Sequence, residues 1–445
     1  MNWGFFIIRL LIGVSILTVL FLSQRYWYRA LWKVSSNWRW TSLRVAVRVL
    51  YVGAFLLVIL AASDALRSGH GRILPRGSMV TAFAGLWFFS AFFGYLGVIA
   101  VRALDGLWSW LRRRSAQSDL KPASKQILPA TVHAPAAAEV LPDPSRRYFF
   151  RTVTAAAGVT PFLGAMYGFA AERLNYQIYR VEIPIPNLPP ALDGMKIVQL
   201  SDIHLSGYMP RSQVRRAVDM ANDLGADLAV VTGDFITGSH DPIAECVDEI
   251  RHLRAPLGTW GCNGNHEIYA KAEDAAQSLF AQAGMKLLRH ENAQLTFKGA
   301  SINLIGVDYQ RERTNGGHLQ ATLQNVEPLV RADMPNILLS HNPNSFNRAA
   351  AMGIELSLAG HTHGGQIQVE ILDHRLSPAR FITDYVAGLF QRPMFLSAGA
   401  PMFRAAAEPG SPLSTLYVNR GIGTVGAPVR LGVPPEISLL VLRRA

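Results

Sequence analysis

Leu358-Ala359-Gly360-His361-Thr362-His363-Gly364-Gly365 is the stretch on which the reading of this chain turns. The apolar run 356–359 reads as a buried strand, and two histidines one residue apart follow it among glycines. In extended backbone alternate side chains share a face, so His361 and His363 are expected to point the same way. The glycines allow a sharp turn and leave room for a metal or a substrate to come close. Taken alone, the stretch is also readable as a polar loop with two solvated histidines, because His is both a common metal ligand and a common loop residue.

Composition narrows the setting. Of 445 residues, 50% are hydrophobic and 17% charged, and mean hydropathy is positive, a balance that suits a membrane protein with a soluble part. The net charge of +12 invites a nucleic-acid partner. Its distribution argues against one. Residues 1–175 carry 20 Lys+Arg against 6 Asp+Glu, whereas the remainder carries 23 against 25. The excess belongs beside membrane spans, and no nucleic acid is expected as a partner. Two cysteines, Cys246 and Cys262, are too few for a disulfide scaffold and read as small buried residues.

Three apolar segments, 5–22, 45–62 and 79–101, are each near the ~20 residues a helix needs to cross a bilayer. They define a transmembrane region over 1–114. Tyr26, Trp27, Tyr28, Trp32, Trp38 and Trp40 crowd the first boundary and read as an interfacial loop. That loop also carries Arg25, Arg29, Lys33, Arg39 and Arg44. Arg112, Arg113 and Arg114 follow the third span, and Arg67, Arg72 and Arg76 lie between the second and third. The more basic first loop and third flank are placed in the cytoplasm. Residues 115–144, rich in Ala, Pro and Ser, read as a flexible linker. Residues 145–175 open with Ser145-Arg146-Arg147-Tyr148-Phe149-Phe150, which resembles a twin-arginine export signal. The alternative is a basic flank before a fourth span. Both put residues 176–445 outside the cytoplasmic membrane of a multi-pass protein.

From Tyr176 onward short apolar runs alternate with amphipathic segments, the texture of an α/β domain. Five runs end in residues that can bind metal. Residues 196–200 lead into Ser201-Asp202-Ile203-His204, and 228–231 into Thr232-Gly233-Asp234. Residues 258–262 lead into Asn263-Gly264-Asn265-His266-Glu267, 336–339 into Ser340-His341, and 356–359 into Gly360-His361-Thr362-His363. Ligands in α/β folds sit beyond the carboxyl ends of strands, where loops converge on a rigid sheet. His240 follows the Asp234 turn closely enough to line a pocket there.

In this order the motifs Asp-x-His, Gly-Asp, Gly-Asn-His-Glu, His and Gly-His-x-His resemble the calcineurin-like metallophosphoesterases. The ending Tyr417-Val418-Asn419-Arg420-Gly421 and Arg430-Leu431-Gly432-Val433-Pro434-Pro435-Glu436 resembles the bacterial membrane-associated YkuE/YaeI-like branch. The resemblance implies a four-layer α-β-β-α sandwich around a two-metal site. It implies that Asp202, His204 and His363 bind one divalent ion, that Asn265, His341 and His361 bind the second, and that Asp234 bridges them. It places His266 beside the substrate phosphate and has Glu267 orient His266 through a hydrogen bond. The ligand set is mixed nitrogen and oxygen without thiolate, which suits Mn, Fe or Zn.

The expected function is hydrolysis of a phosphoester, a phosphodiester first, by metal-activated water. Two alternatives stand beside it: hydrolysis of a lipid-linked phosphate or pyrophosphate, and a non-catalytic metal-binding membrane sensor. The expected partners are a phosphorylated small molecule or lipid and the membrane, with a protein partner for the N-terminal helices also open. Residues 373–408, with Phe381, Tyr385, Phe390 and Phe395, read as a lid, an apolar surface or ordinary packing.

Overall fold

The computed structural model describes residues 3–65, 78–118, 144–310, 312–313, 319–320, 323–371, 374–381, 383–394 and 412–445. Most of the expected linker, the arginines Arg67, Arg72 and Arg76, and Phe395 with much of 373–408 lie outside the described residues. The chain divides into two compact units, residues 1–74 with 80–166, and residues 75–79 with 167–445.

The first unit is helical: α1 (Trp3–Ser36), α2 (Thr41–Ala65), α3 (Met79–Ser118) and α4 (Pro144–Ala170). Here the structure corrects the expected interfacial loop. Helix α1 runs on through Tyr26, Trp27, Tyr28 and Trp32, and only residues 37–40 separate it from α2. The aromatic rings pack rather than merely mark a boundary. Trp27 donates its indole N–H to the carbonyl of Ala91 at 2.8 Å, and its ring packs edge-on against Phe162. Arg48 lays its guanidinium 3.6 Å from the centre of the Trp32 ring and donates to Ser35 Oγ, Ser36 Oγ and the carbonyl of Trp32. It thereby caps the last turn of α1, where unpaired carbonyls favour a cation. Helices α3 and α4 touch backbone to backbone: a Cβ on Gly94 would lie 2.5 Å from the carbonyl oxygen of Gly158. Small residues permit such approach between membrane helices. Arg146, the first of the arginine pair, lies in α4 and is ion-paired with Asp105 of α3. Among the described residues two helices, Met79–Arg112 and Pro144–Leu174, are long and apolar enough to cross a bilayer.

The second unit holds two six-stranded sheets. The first has the order β1 (Gln177–Ile185), β16 (Glu436–Arg444), β2 (Lys196–Leu200), β3 (Leu228–Thr232), β4 (Thr259–Cys262), β5 (Lys286–Leu287). The second has the order β14 (Gly388–Pro393), β15 (Leu413–Val418), β11 (Leu356–Ala359), β10 (Asn336–Leu339), β7 (Ala300–Gly306), β6 (Glu291–Phe297). Strands β2, β3 and β4 are mutually parallel, as are β7, β10, β11 and β15. Two short hairpins, β8 (Glu312–Arg313) with β9 (Leu319–Gln320) and β12 (Val369–Ile371) with β13 (His374–Leu376), stand apart.

Side-chain alternation builds the layers. Along β3, Leu228 and Val230 face inward to meet Ile337, Leu339, Leu356 and Leu358 of the other sheet. Ala229 and Val231 face outward, against α5 (Arg211–Asn222), α6 (Ile243–Ile250) and α8 (Glu273–Gln282). On the far side, Leu338 and Ala359 meet residues of α9 (Phe346–Ala351). The result is the α-β-β-α sandwich. Both faces of the parallel strands are buried, which explains why they read as unbroken apolar runs. Cys246 and Cys262 are buried free thiols in these cores.

Candidate metal centre

Each strand that leads into a motif ends in a loop, and these loops are tied to one another. Asp202 N–H donates to the carbonyl of Gly233, His204 N–H to that of Asp234, and Gly360 N–H to that of His341. Local backbone is strained to achieve it. Asp202, His204, Asp234, His361 and His363 all have positive φ, between 49° and 75°. Such conformations cost about 1–3 kcal/mol each for non-glycine residues and gather where the surroundings impose them. Close approach does the imposing. A Cβ on Gly264 would lie 2.1 Å from Asp234 Oδ1, and one on Gly360 2.0 Å from Ser201 Oγ.

The strained residues, with His341 and His266, form groups whose ligand atoms lie mutually within 4.8 Å: Asp202, His204 and His363 in one, Asp234, His341 and His361 in another, and His204, Asp234 and His266 in a third that links them. His204 Nε2 is 3.1 Å from His363 Nε2, and His363 Nε2 is 3.3 Å from Asp202 Oδ1. His341 Nε2 is 3.1 Å from Asp234 Oδ2, and His204 Nε2 is 3.5 Å from the same oxygen, so Asp234 faces the first two groups. His266 Nε2 reaches to 4.0 Å of Asp234 Oδ2.

The extended backbone expected for His361 and His363 is not what the structure has. The left-handed backbone at both turns the segment out of extension, and the two rings join different groups.

The donor set fits cations. Asn265 Oδ1 and His341 Nε2 are buried without a hydrogen-bond partner, although the second lies close to a carboxylate. Buried polar atoms left unpaired are costly and call for a ligand. His341 Nδ1 faces the carbonyl of Thr232 at 2.5 Å, which fixes that nitrogen as the donor and turns Nε2 inward. Charge points the same way. Burial alone would lower the pKa of His341, yet Asp234 and Asp202 push it up to about 10. Burial raises Asp234, but His341 and His204 outweigh it and hold this carboxyl well below its usual range. Burial, with the charge of His204 and Arg430, keeps His363 well below the usual imidazole value, hence neutral and able to ligate. Carboxylates that draw a proton onto His341 would draw a divalent ion more strongly.

The calcineurin-like phosphoesterase family matches residues 195–365, the span that contains every one of these motifs. This part of the chain is a calcineurin-like phosphoesterase domain. Among proteins with similar sequences is a bovine (Bos taurus) transmembrane protein with metallophosphoesterase domain, 33% identical over 279 residues. The match covers 60% of this chain and 56% of that protein, so the chain spans about half the length of this relative. The uncharacterized metallophosphoesterase YkuE of Bacillus subtilis is 28% identical over 307 residues, 67% of this chain and 98% of that protein. Phosphodiesterase YaeI of Escherichia coli is 25% identical over 311 residues, 67% of this chain and 99% of that protein.

Within the phosphoesterase domain Glu267 departs from its expected contact. It does not touch His266. Its buried carboxylate accepts four backbone N–H groups: Asp234 at 2.9 Å, Phe235 at 2.9 Å, Ile236 at 3.3 Å and Gly264 at 2.8 Å. Glu267 is thus a positioning residue for Asp234, and it caps the short helix α7 (Asn265–Ala270) from its third position. His266 is oriented instead by the carbonyl of Thr237, 2.7 Å from Nδ1. Burial lowers the pKa of His266, and Asp234 pulls it back up. His240 is exposed and lies outside the polar hollow next to this turn.

Two residues escaped motif reading. Thr237 touches both His266 and, through Oγ1 at 3.2 Å, His204 Nδ1. Arg430 is fully buried and donates to the carbonyls of Arg420, Gly421 and Gly423. It stitches a turn whose Ile422 and Gly423 N–H groups bond the carbonyls of Ser201 and Asp202. Only the resemblance of the ending 430–436 pointed to it.

Proposed function

We propose that the chain is a membrane-anchored phosphoesterase, with residues 176–445 as its catalytic domain outside the cytoplasm, hydrolysing a phosphodiester. The observation that carries this reading is the convergence of Asp202, His204, Asp234, His341, His361 and His363 on one cluster. In this reading Asp202, His204 and His363 hold one divalent ion, Asn265, His341 and His361 the other, and Asp234 both; Mn, Fe or Zn suit such donors. Bound there, the ions supply Lewis acidity and lower the pKa of water toward ~7.

The chain's own groups do the rest. The carbonyl of Thr237 accepts from the Nδ1–H of His266, leaving Nε2 to face the cluster; in the imidazolium form the Nε2–H passes its proton to the departing alkoxide and the ring is left neutral. Openness favours catalysis over a purely structural or sensing role: the side chain of His266 is 18% exposed and His361 is half-buried, whereas structural metal sites are closed. The name of the E. coli relative, a phosphodiesterase, supports a diester over a monoester.

The deciding experiment is turnover of generic phosphodiesters and phosphomonoesters by full-length protein of measured metal content. His266→Ala is expected to keep its metal and lose about 10²–10⁴-fold in kcat; wild-type turnover in that variant removes the role assigned here. Residues 145–175 serve as an export signal or a fourth span, and the basic excess before residue 176 supports the outward placement. A reporter fused at the C-terminus is therefore expected to be active outside the cytoplasmic membrane, and activity confined to the cytoplasm overturns the topology.

A further inference from the structure

The last turn of α4 is built into the shell of the candidate centre. The N–H of Arg430 donates to the carbonyl of Gly168 at 3.3 Å. A Cβ on Gly168 would overlap the carbonyl oxygen of Arg430 and lie 2.6 Å from Val429 Cγ1, so only glycine lets the helix come this close. Arg173 donates to the carbonyl of Phe169 in the same turn and, at 2.9 Å, to that of Tyr208, shortly after His204. From Gly168 the contacts run on to a ligand. The buried guanidinium of Arg430 holds the carbonyls of Gly421 and Gly423, and Gly423 N–H donates to the carbonyl of Asp202 at 2.8 Å. A Cβ on Gly421 would lie 2.5 Å from Asp202 Cβ. Asp202 has φ 49°, a conformation that surrounding contacts have to impose.

The first half of α4 is engaged within the helical unit. Arg146 pairs with Asp105 and donates to Ser109 Oγ, the carbonyl of Pro161 accepts from Ser90 Oγ at 3.3 Å, and Gly158 lies against Trp27 and Gly94. Such ties do not suit a segment that is removed. Gly168-Phe169-Ala170 has the small-x-small form at which export signals are cut. A cut after Ala170 would take away both carbonyls, leaving the N–H of Arg430 and the side chain of Arg173 without them. We propose that α4 is a retained membrane helix, and that its last turn, through Gly168 and Arg430, positions Asp202 for the ion assigned to Asp202, His204 and His363. Gly168 and Arg430 are positioning residues and touch no substrate. Their role rests on the two-ion reading above.

Two measurements on the full-length chain test it. The intact mass of C-terminally tagged protein purified from membranes is expected to include residues 144–174, and a product that begins at about residue 171 overturns retention. Manganese is then titrated from a chelator buffer into wild type, Gly168→Ala and Arg430→Lys, which keeps the charge and loses the forked donation. The control is Gly106→Ala in α3, a position with nothing within 4 Å of an added Cβ. The expected result for Gly168→Ala and Arg430→Lys is a loss of about 10–100-fold in the affinity of one ion, the range for outer-shell partners, with the other ion and the control as in wild type. A general loss of stability would weaken both ions together. Unchanged affinities, or a parallel loss of both, overturn the positioning role while the phosphoesterase reading stands. Wild-type protein that binds no manganese overturns both.

Discussion

Asp234→Asn is expected to empty both cation positions. Asp234 Oδ2 is the atom nearest to members of both groups, 3.1 Å from His341 Nε2 and 3.5 Å from His204 Nε2. In the two-ion reading its negative charge would offset the repulsion between cations held close together. An amide keeps the shape and loses that charge. Losing a shared ligand should cost more than the roughly 10–100-fold in affinity that loss of an outer-shell partner costs. The fold should survive, because the amide oxygen can still accept the N–H of His266 that Asp234 Oδ1 takes at 3.0 Å. Elemental analysis after dialysis, paired with a thermal melt in chelator, reads the two effects separately. Unchanged metal content contradicts the bridging role.

Glu267→Ala carries the largest expected loss of stability. The carboxylate is fully buried and satisfies four backbone N–H groups that the substitution would strand. Each unsatisfied buried donor costs about 1–3 kcal/mol. Four such losses come to at least about 4 kcal/mol, much of the roughly 5–15 kcal/mol that holds a domain folded. The melting temperature of metal-free protein should fall on the order of 10 °C, and metal content should fall with it as the Asp234 turn loosens. Glu267→Gln is the informative companion. Its amide oxygen can accept from one side, but its NH₂ then confronts N–H donors on the other, so it should lie between wild type and alanine. A wild-type melt for Glu267→Ala refutes the positioning role.

Several elements were legible because their signal is local. Residues 196–200, 336–339 and 356–359 are strands with the boundaries read from sequence, since strands buried on both faces are unbroken apolar runs. Residues 228–231 and 258–262 were placed to within one residue at an end. Helix α1 was read too short because Trp and Tyr at a membrane boundary look like a loop, whereas here Trp27 reaches Ala91 and Phe162 on other helices. The backbone behind the local argument for His361 and His363 was misread for a similar reason. That argument assumed extended backbone, but packing of residue 360 against Ser201 and Asp202 sets a left-handed turn that splits the pair.

By itself the sequence determined which residues are chemically able to bind metal, the strands that carry them and the charge asymmetry along the chain, all of which are written in neighbouring side chains. Only the tertiary structure decided that left-handed turns present the imidazoles to the carboxylates, that Glu267 serves the backbone of residues 234–236 rather than His266, and that Arg430 braces the turn beneath Asp202. Those partners lie far apart along the chain. Their hydrogen bonds come into being only when two sheets close face to face and bring the ends of their parallel strands together, a geometry that no local pattern of residues encodes.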